Sequence, residues 1–386
     1  MALHRLIRTR GLPLRFSTLS NVPEGAAIRA RRCLLVALSV ALLVVLAAAP
    51  RANAKAEPLE PDEDVLFLPG TARELEDGRI EVDLQAWVHE KDRRKVLDAG
   101  LARYLGLELS SMSPAARLRF AKRTALFHAE PEEGTVLEID FGQGTPHVFM
   151  PSSDESGRTG MRATVALTPD PRLAPWLHFH APVAGPARRI EGRALLVPAQ
   201  GLSVISDIDD TVKVTQVRDQ HQMLLNTFTR AFEAMPGMAQ HYRDLARKPQ
   251  TRFHYLSSSP IQLLPALADF LRDAGFPAGS MHLRESTTWR TLIPGTGESR
   301  AHKLAAIGRL MDDFPERRFL LVGDSGELDP EIYGEVARTR PERVEAVVIR
   351  DVTAEGRDAP RYSSAFAGVE PARWHILKDG EAWPLS

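Results

Sequence analysis

The sequence predicts an α/β fold: a mainly parallel sheet with helices on both faces, preceded by a β-rich, sandwich-like region and an N-terminal signal segment. Three observations carry that expectation. Past Pro198, short apolar or β-branched runs alternate with helical stretches, the pattern of strands joined by crossover helices. Between Val65 and about Val197 the apolar residues tend to recur at alternate positions, with Gly-, Pro- and Asp-rich turns between them, as in half-buried strands. Ahead of both, "CLLVALSVALLVVLAAA", Cys33 to Ala49, is an uncharged apolar run behind Arg29, Arg31 and Arg32. The implied division is 1–54, 57–197 and 198–386.

The leader reads as an address. "ANA", Ala52 to Ala54, supplies the small-residue pattern of a signal-peptidase site before Lys55. Export, to a periplasm, is the expectation; the alternative is an uncleaved membrane anchor formed by 33–49, a run near the lower length limit for a span. Charge follows the same division. The whole chain has a net charge of −1, yet residues 1–56 hold nine Lys/Arg and one Glu, leaving 40 basic against 49 acidic residues in 57–386, or −9. So acidic a body is a poor general binder of nucleic acid, whose affinity comes mainly from phosphate neutralisation. The single cysteine, Cys33, excludes an internal disulfide framework.

In the β-rich region, "GRIEVDLQAWVHE" alternates Ile80, Val82, Leu84 and Trp87 with polar neighbours. "TVLEIDFGQGT", "RATVALT" and "LHFHAP" are further short strands, and 94–107, "RKVLDAGLARYLGL", has the spacing of a helix. The strands suggest a small sandwich without catalytic spacing. His178 and His180 share one strand face, read as partly exposed rather than metal-binding because no third ligand lies nearby in sequence. In 198–386 the expected strands are 202–206, 252–257, 318–323 and 344–350, separated by helices over about 222–247, 261–274, 300–313 and 329–338. Phe228, Phe232 and Met235 read as helix core. The stretch 276–299 reads as short and turn-rich, a small cap beside an exposed site, which suits a substrate presented by something large such as a bilayer.

Each chemically suggestive group falls at the carboxyl end of a predicted strand, where open α/β sheets bind ligands. "SVISDIDDTVKVT" places Asp207, Asp209 and Asp210 within four positions. Like charges that close call for a positive partner, most simply a divalent cation. Two-residue spacing in extended chain points Asp207 and Asp209 the same way and Asp210 away, while Thr211 can bond locally. Ser257, Ser258 and Ser259 follow the second strand, with Ser258 and Ser259 also placed to cap the next helix. Lys303 lies in the first turn of the expected 300–313 helix, and "GDSGELDPE" brings Asp324, Glu327 and Asp329 after the third strand. An EF-hand calcium loop is refused, since Val212 and Arg218 stand where its Gly and late Glu belong.

These blocks resemble the haloacid dehalogenase superfamily of phosphohydrolases, with its Asp-x-Asp-x-Thr, Ser/Thr, Lys and Gly-Asp elements in order. "SVISDIDDTVKVT", "FHYLSSSPIQLLPALADF", "HKLAAI" and "GDSGELDPEIY" are similar to those of the fungal actin-patch phosphatidate phosphatase family and its bacterial relatives, over roughly 195–352. The chain departs from that family at Ile261 and Leu264, where aromatics are usual, and at Leu328, where Gln is usual. The resemblance implies a Mg²⁺-dependent phosphomonoester phosphatase acting on phosphatidate or a related phospholipid to give diacylglycerol and phosphate. Asp207 would be the nucleophile, forming an aspartyl-phosphate, and Asp209 the general acid and base. Asp207, Asp324 and the Asp209 carbonyl would hold Mg²⁺. Lys303, Ser257 and Ser258 would hold phosphate, with Thr211, Glu327 and Asp329 in support. Arg284, Arg290, Arg300 and Lys213 are candidates for contacting an anionic headgroup, and a membrane surface is a candidate partner. Two alternatives remain at this point: a phosphatase for a soluble or protein-borne phosphate ester, and a non-enzymatic envelope-binding β module carrying a vestigial phosphatase domain.

Overall fold

The computed structural model describes residues 59–60, 62–90, 97–183, 189–285, 295–378 and 380–385. The leader, its cleavage triplet, the anchor alternative at 33–49 and Arg290 lie outside them. Among the described residues no helix is long and apolar enough to cross a membrane. Ala56–Ser386 forms one compact unit.

The first half of this unit is strand-rich: β1 (Glu63–Phe67), β2 (Gly70–Glu74), β3 (Ile80–Glu90), β4 (Glu130–Pro131), β5 (Glu138–Ile139), β6 (Val148–Phe149), β7 (Arg158–Val165), β8 (Trp176–Pro182) and β9 (Arg189–Leu196). The expected sandwich takes another form, one seven-stranded sheet in the path β1-β3-β2-β9-β8, with β4 and β7 also paired to β3, plus a separate β5–β6 hairpin. Alternate β3 residues Ile80, Val82 and Leu84 are buried in one apolar cluster, as their spacing in the sequence requires. The expected helix appears as α1 (Leu97–Tyr104). A second, α2 (Pro114–Thr124), was not anticipated because only two of its residues, Leu118 and Phe120, are large and apolar. Its start signals were nonetheless written in the sequence: Ser113 accepts the Ala116 N–H, and Pro114 opens the first turn.

The second half is a six-stranded parallel sheet, order β12-β11-β10-β13-β14-β15. Its strands are β10 (Leu202–Asp207), β11 (Arg252–Pro260), β12 (Gly279–Arg284), β13 (Arg318–Asp324), β14 (Val344–Arg350) and β15 (Trp374–Leu377). Successive residues face opposite ways. Val204, Leu320 and Val348 join one cluster with α3 (Gln220–Phe228), α4 (Met238–Ala246) and α5 (Leu264–Asp273). Ile205, Leu321 and Val347 join another with α6 (Thr296–Asp313), α7 (Asp329–Thr339) and α8 (Pro360–Ala365). The strand order reverses between β10 and β13, and such a switch point opens a crevice at the carboxyl ends of the strands.

Three expectations need correcting. The stretch 222–247 is two helices, not one. Between them the backbone pairs with the loop after β10, through Glu233 O to the Val214 N–H and the Met235 N–H to Val212 O, both 2.9 Å, and Pro236 with left-handed Gly237 resets the chain. Part of 276–299 is strand β12, whose "SMHLR" alternates too weakly to read. Lys303 sits about two turns inside α6, which starts at Thr296. Ile261 and Leu264, two of the departures from the family pattern, are buried in the core. Phe228 is buried and Phe232 and Met235 pack against the same cluster, in line with their reading as core.

Candidate active site

The crevice gathers the acids that the sequence spreads over more than a hundred positions. Asp207 ends β10 and Asp324 ends the neighbouring β13. Gly323 is required between sheet and site, because a Cβ there would stand 2.3 Å from Asp329 Oδ2 and 2.7 Å from the Tyr333 ring. Lys303 reaches in from α6 and donates to Asp207 Oδ1 at 2.8 Å, Asp329 Oδ1 at 2.6 Å and Glu327 Oε2 at 3.3 Å. Asp329 Oδ2 accepts the Asp324 N–H at 3.3 Å, and Asp324 Oδ1 accepts the Gly326 N–H at 2.6 Å. Asp207, Asp324, Asp329 and Lys303 are all buried.

Four carboxylates therefore face one ammonium. Burial first, and then the neighbouring acids, push Asp207 and Asp324 well above the usual carboxylate range despite Lys303. Lys303 is held well above its ordinary value, because Asp207, Asp329 and Glu327 overcome the cost of its burial. The arrangement is short of positive charge. Two oxygens, Asp207 Oδ2 and Asp324 Oδ2, are buried with no hydrogen-bond partner, and ligand atoms of Asp207, Asp324 and Asp329 lie within 4.8 Å of one another. Orphaned carboxylate oxygens are costly, and an all-oxygen, anionic donor set is what a hard divalent cation takes. The residues present fit such an ion.

Asp209 lives in a different field. Its Oδ1 accepts from buried Lys213 at 2.8 Å and from the Thr215 hydroxyl at 2.8 Å. Its Oδ2 accepts from Ser257 at 2.9 Å and Ser259 at 3.1 Å. Although burial works to raise it, Lys213 and these hydroxyls bring Asp209 down to about 2. A carboxylate lowered from 3.8 to about 2 contributes about 2 kcal/mol that is fully present above its unfolded value and lost as pH falls toward its folded one. Urea titrations of Asp209→Asn should therefore lose less stability between pH 4 and pH 2 than the wild type does. Equal acid sensitivity would refute that assignment.

Other residues build the frame. Asp210, in a left-handed conformation (φ 55°), turns away as expected and accepts the backbone N–H groups of Thr215, Gln216 and Val217, each at 2.7 Å. Buried Arg350 donates to the Asp210 carbonyl at 2.5 Å. Thr211 is buried, but its hydroxyl finds no partner, so the expected local bond does not form. Ser258 and Ser259 are not helix caps: Ser258 pairs with Ser299 at 2.5 Å and Ser259 with Asp209. Three of the four cations proposed for a headgroup are committed elsewhere. Lys213 holds Asp209, Arg284 is buried and donates to the Ser258 carbonyl at 3.1 Å, and Arg300 pairs with Glu335.

Above the acids opens a cavity of about 490 Å³. Asp209, Ser258, Ser259 and Glu327 form its polar side, while Val217, Met223, Leu224, Phe228, Leu263 and Leu328 form an apolar wall. Arg361, which the sequence reading missed, stands at its edge. Arg361 donates to the Ser325 and Glu327 carbonyls and to Glu331 at 2.8 Å, tying down the loop after β13. It comes from α8, remote from every motif, so only the tertiary structure reveals it. The histidines of β8 part ways: His178 is exposed, and His180 Nε2 lies 3.2 Å from Asp140 Oδ2.

Residues 202–351, the segment from β10 to just past β14, match the family model "Phosphatidate phosphatase APP1, catalytic domain". Over these residues the chain is similar to the APP1 phosphatidate phosphatase family. The chain is similar to phosphatidate phosphatase APP1 of Saccharomyces cerevisiae, at 34% identity over 233 residues, 59% of this chain and 39% of that protein. An uncharacterised protein of Schizosaccharomyces pombe is 35% identical over 161 residues, 40% of this chain and 26% of its own length. The chain thus spans well under half the length of these relatives. A carbohydrate esterase structure aligns over 76% of this chain and 89% of its own at 9% identity and a TM-score of 0.20, too distant to inform the fold. The matched APP1-type segment contains Asp207, Asp209, Ser257, Lys303, Asp324 and Asp329.

Proposed function

We propose that the protein is a divalent-cation-dependent phosphomonoester phosphatase whose substrate is phosphatidate or a close phospholipid relative. The observation that carries the reading is the pairing of two orphaned oxygens, Asp207 Oδ2 and Asp324 Oδ2, in a buried site short of positive charge. The substrate class rests on the APP1 family match and on the apolar wall beside Asp209. Export to a periplasm remains our expectation from the leader.

Phosphoryl transfer is mostly positioning and charge stabilisation. Asp207 attacks phosphorus through a carboxylate oxygen, so that a P–O bond to the carboxylate forms as the ester P–O bond breaks. Lys303 holds Oδ1 and fixes the carboxylate for that approach. Mg²⁺, held by Asp207, Asp324 and the Asp209 carbonyl, would screen carboxylate from phosphate. Asp209 stands ionised at rest, the form that takes a proton from water when the aspartyl-phosphate is hydrolysed. To protonate the leaving alkoxide beforehand, it must exchange its Lys213 contact for a proton. Ser257 donates to Asp209 in this state and has to turn to hold a phosphate oxygen.

The test is a phosphate-release screen over phosphatidate in mixed micelles and soluble phosphate esters, with Mg²⁺ and with EDTA. Release should need Mg²⁺ and favour the lipid; indifference to the acyl chains would overturn the lipid reading. Binding to the folded state alone also raises stability, by about 2.7 kcal/mol at a hundred times Kd. Mg²⁺ should therefore raise the melting temperature of the wild type, and more at pH 8 than at pH 5, where protons compete for the carboxylates.

A further inference from the structure

We propose that the outer face of α2 is a docking surface for an anionic lipid bilayer. The helix "PAARLRFAKRT" holds four basic residues and no acid, on a body that carries nine excess negative charges over 57–386. Its residues divide by direction. Arg119 and Arg123 turn inward: Arg119 donates to the Thr229 carbonyl at 2.7 Å, and Arg123 to those of Thr227 and Arg230 at 2.8 Å. Phe120 is buried against Phe228. Outward, Pro114, Leu118, Ala121 and Ala125 recur at spacings of four, three and four and are all exposed, which aligns them along one helix face. Leu118 is 72% exposed, the most exposed large apolar side chain among the described residues. Arg117 and Lys122, both exposed, flank that stripe; Arg117 donates to the Met112 and Ser110 carbonyls at 3.1 and 3.2 Å, and Lys122 makes a solvent-facing pair with Asp269 at 3.5 Å.

An exposed apolar stripe bordered by cations is the signature of a helix lying in a membrane interface, apolar face toward the acyl boundary and bases among anionic headgroups. An acidic protein partner would use the charges but leave the stripe without a role. Position supports the same occupant. Through Arg119, Arg123 and Phe120, α2 packs on α3, whose Met223, Leu224 and Phe228 wall the catalytic cavity. Docking there would bring a lipid surface to the element that borders the site. The proposal extends the lipid-phosphatase reading but does not depend on it, since it concerns a surface and not turnover.

The test places an environment-sensitive fluorophore at Ala121→Cys in a full-length Cys33→Ser chain. A control label goes at Glu345→Cys, an exposed position at the opposite, amino end of the sheet. Vesicles are phosphatidylcholine alone or with one-fifth phosphatidylserine, neither of which is a phosphomonoester. Emission at 121 should rise about threefold and shift blue with the anionic vesicles only, and the label at 345 should not respond. Arg117→Glu with Lys122→Glu should weaken the response at least tenfold while hydrolysis of a soluble phosphate ester stays unchanged. Because both labelled proteins carry 33–49, any contact made by that segment is common to them. A silent probe at 121, or one equally bright after the charge reversal, overturns the docking surface whether or not the enzyme hydrolyses lipid. Docking without any phosphatase activity overturns the functional reading alone.

Discussion

Asp207→Asn is expected to lower phosphate release by about a thousandfold or more, because it removes the proposed nucleophile and leaves the electrostatic frame. That loss corresponds to about 4 kcal/mol of transition-state stabilisation. The fold should not suffer with it. An amide keeps an acceptor for Lys303, and burial with its acidic neighbours already disfavours the ionised form of Asp207. An acid whose folded pKa is raised contributes stability at low pH that is lost as pH rises through its titration. In EDTA at neutral pH the variant should thus match or exceed the wild type in melting temperature. With Mg²⁺ the order should reverse, since one ligand of the ion has been neutralised. Activity within tenfold of wild type would end the assignment of Asp207 as nucleophile; lost activity together with a collapsed melting temperature would instead make Asp207 structural.

Lys303→Met should be the most destabilising change in the site. It strips from Asp207, Asp329 and Glu327 the only ammonium that pairs with them among the described residues, and breaking a buried pair by deleting one partner costs about 3–5 kcal/mol. The penalty follows ionisation of the abandoned acids, so it should grow from pH 5 to pH 8. Mg²⁺ should recover part of it. Urea denaturation at the two pH values is the measurement. A loss under about 1 kcal/mol that ignores pH would mean Lys303 behaves as an ordinary surface lysine.

How far the sequence could be read follows from the range of the interactions involved. Strands β10, β11, β13 and β14 were legible because they are apolar on both faces, a local property of each run. Edge strands β12 and β15 were not, since they are short and mixed. Asp207, Asp209, Ser257, Lys303 and Asp324 were legible because strand ends and parallel order bring them to one crevice. The direction of each side chain was not. Lys213, four positions after Asp209, read as a candidate headgroup contact and is instead its buried counter-ion. Ser259 read as a cap and serves the same carboxylate. Arg361 sends its guanidinium to a loop more than thirty positions upstream, a relation no local pattern encodes. The long helix over 222–247 failed for a related reason: backbone pairing with 212–214 outweighed helical periodicity.

The clasp of Arg119 and Arg123 on the carbonyls of Thr227, Thr229 and Arg230, at and just past the end of α3, makes the strand-rich half a structural parent of the cavity wall. A helix end left with free carbonyls frays, and this end carries Phe228 of the pocket wall. Grafting the downstream half onto another upstream partner would therefore reshape the cavity without altering a single residue that lines it, and the lineage of the first half becomes a hidden determinant of what the second half accepts.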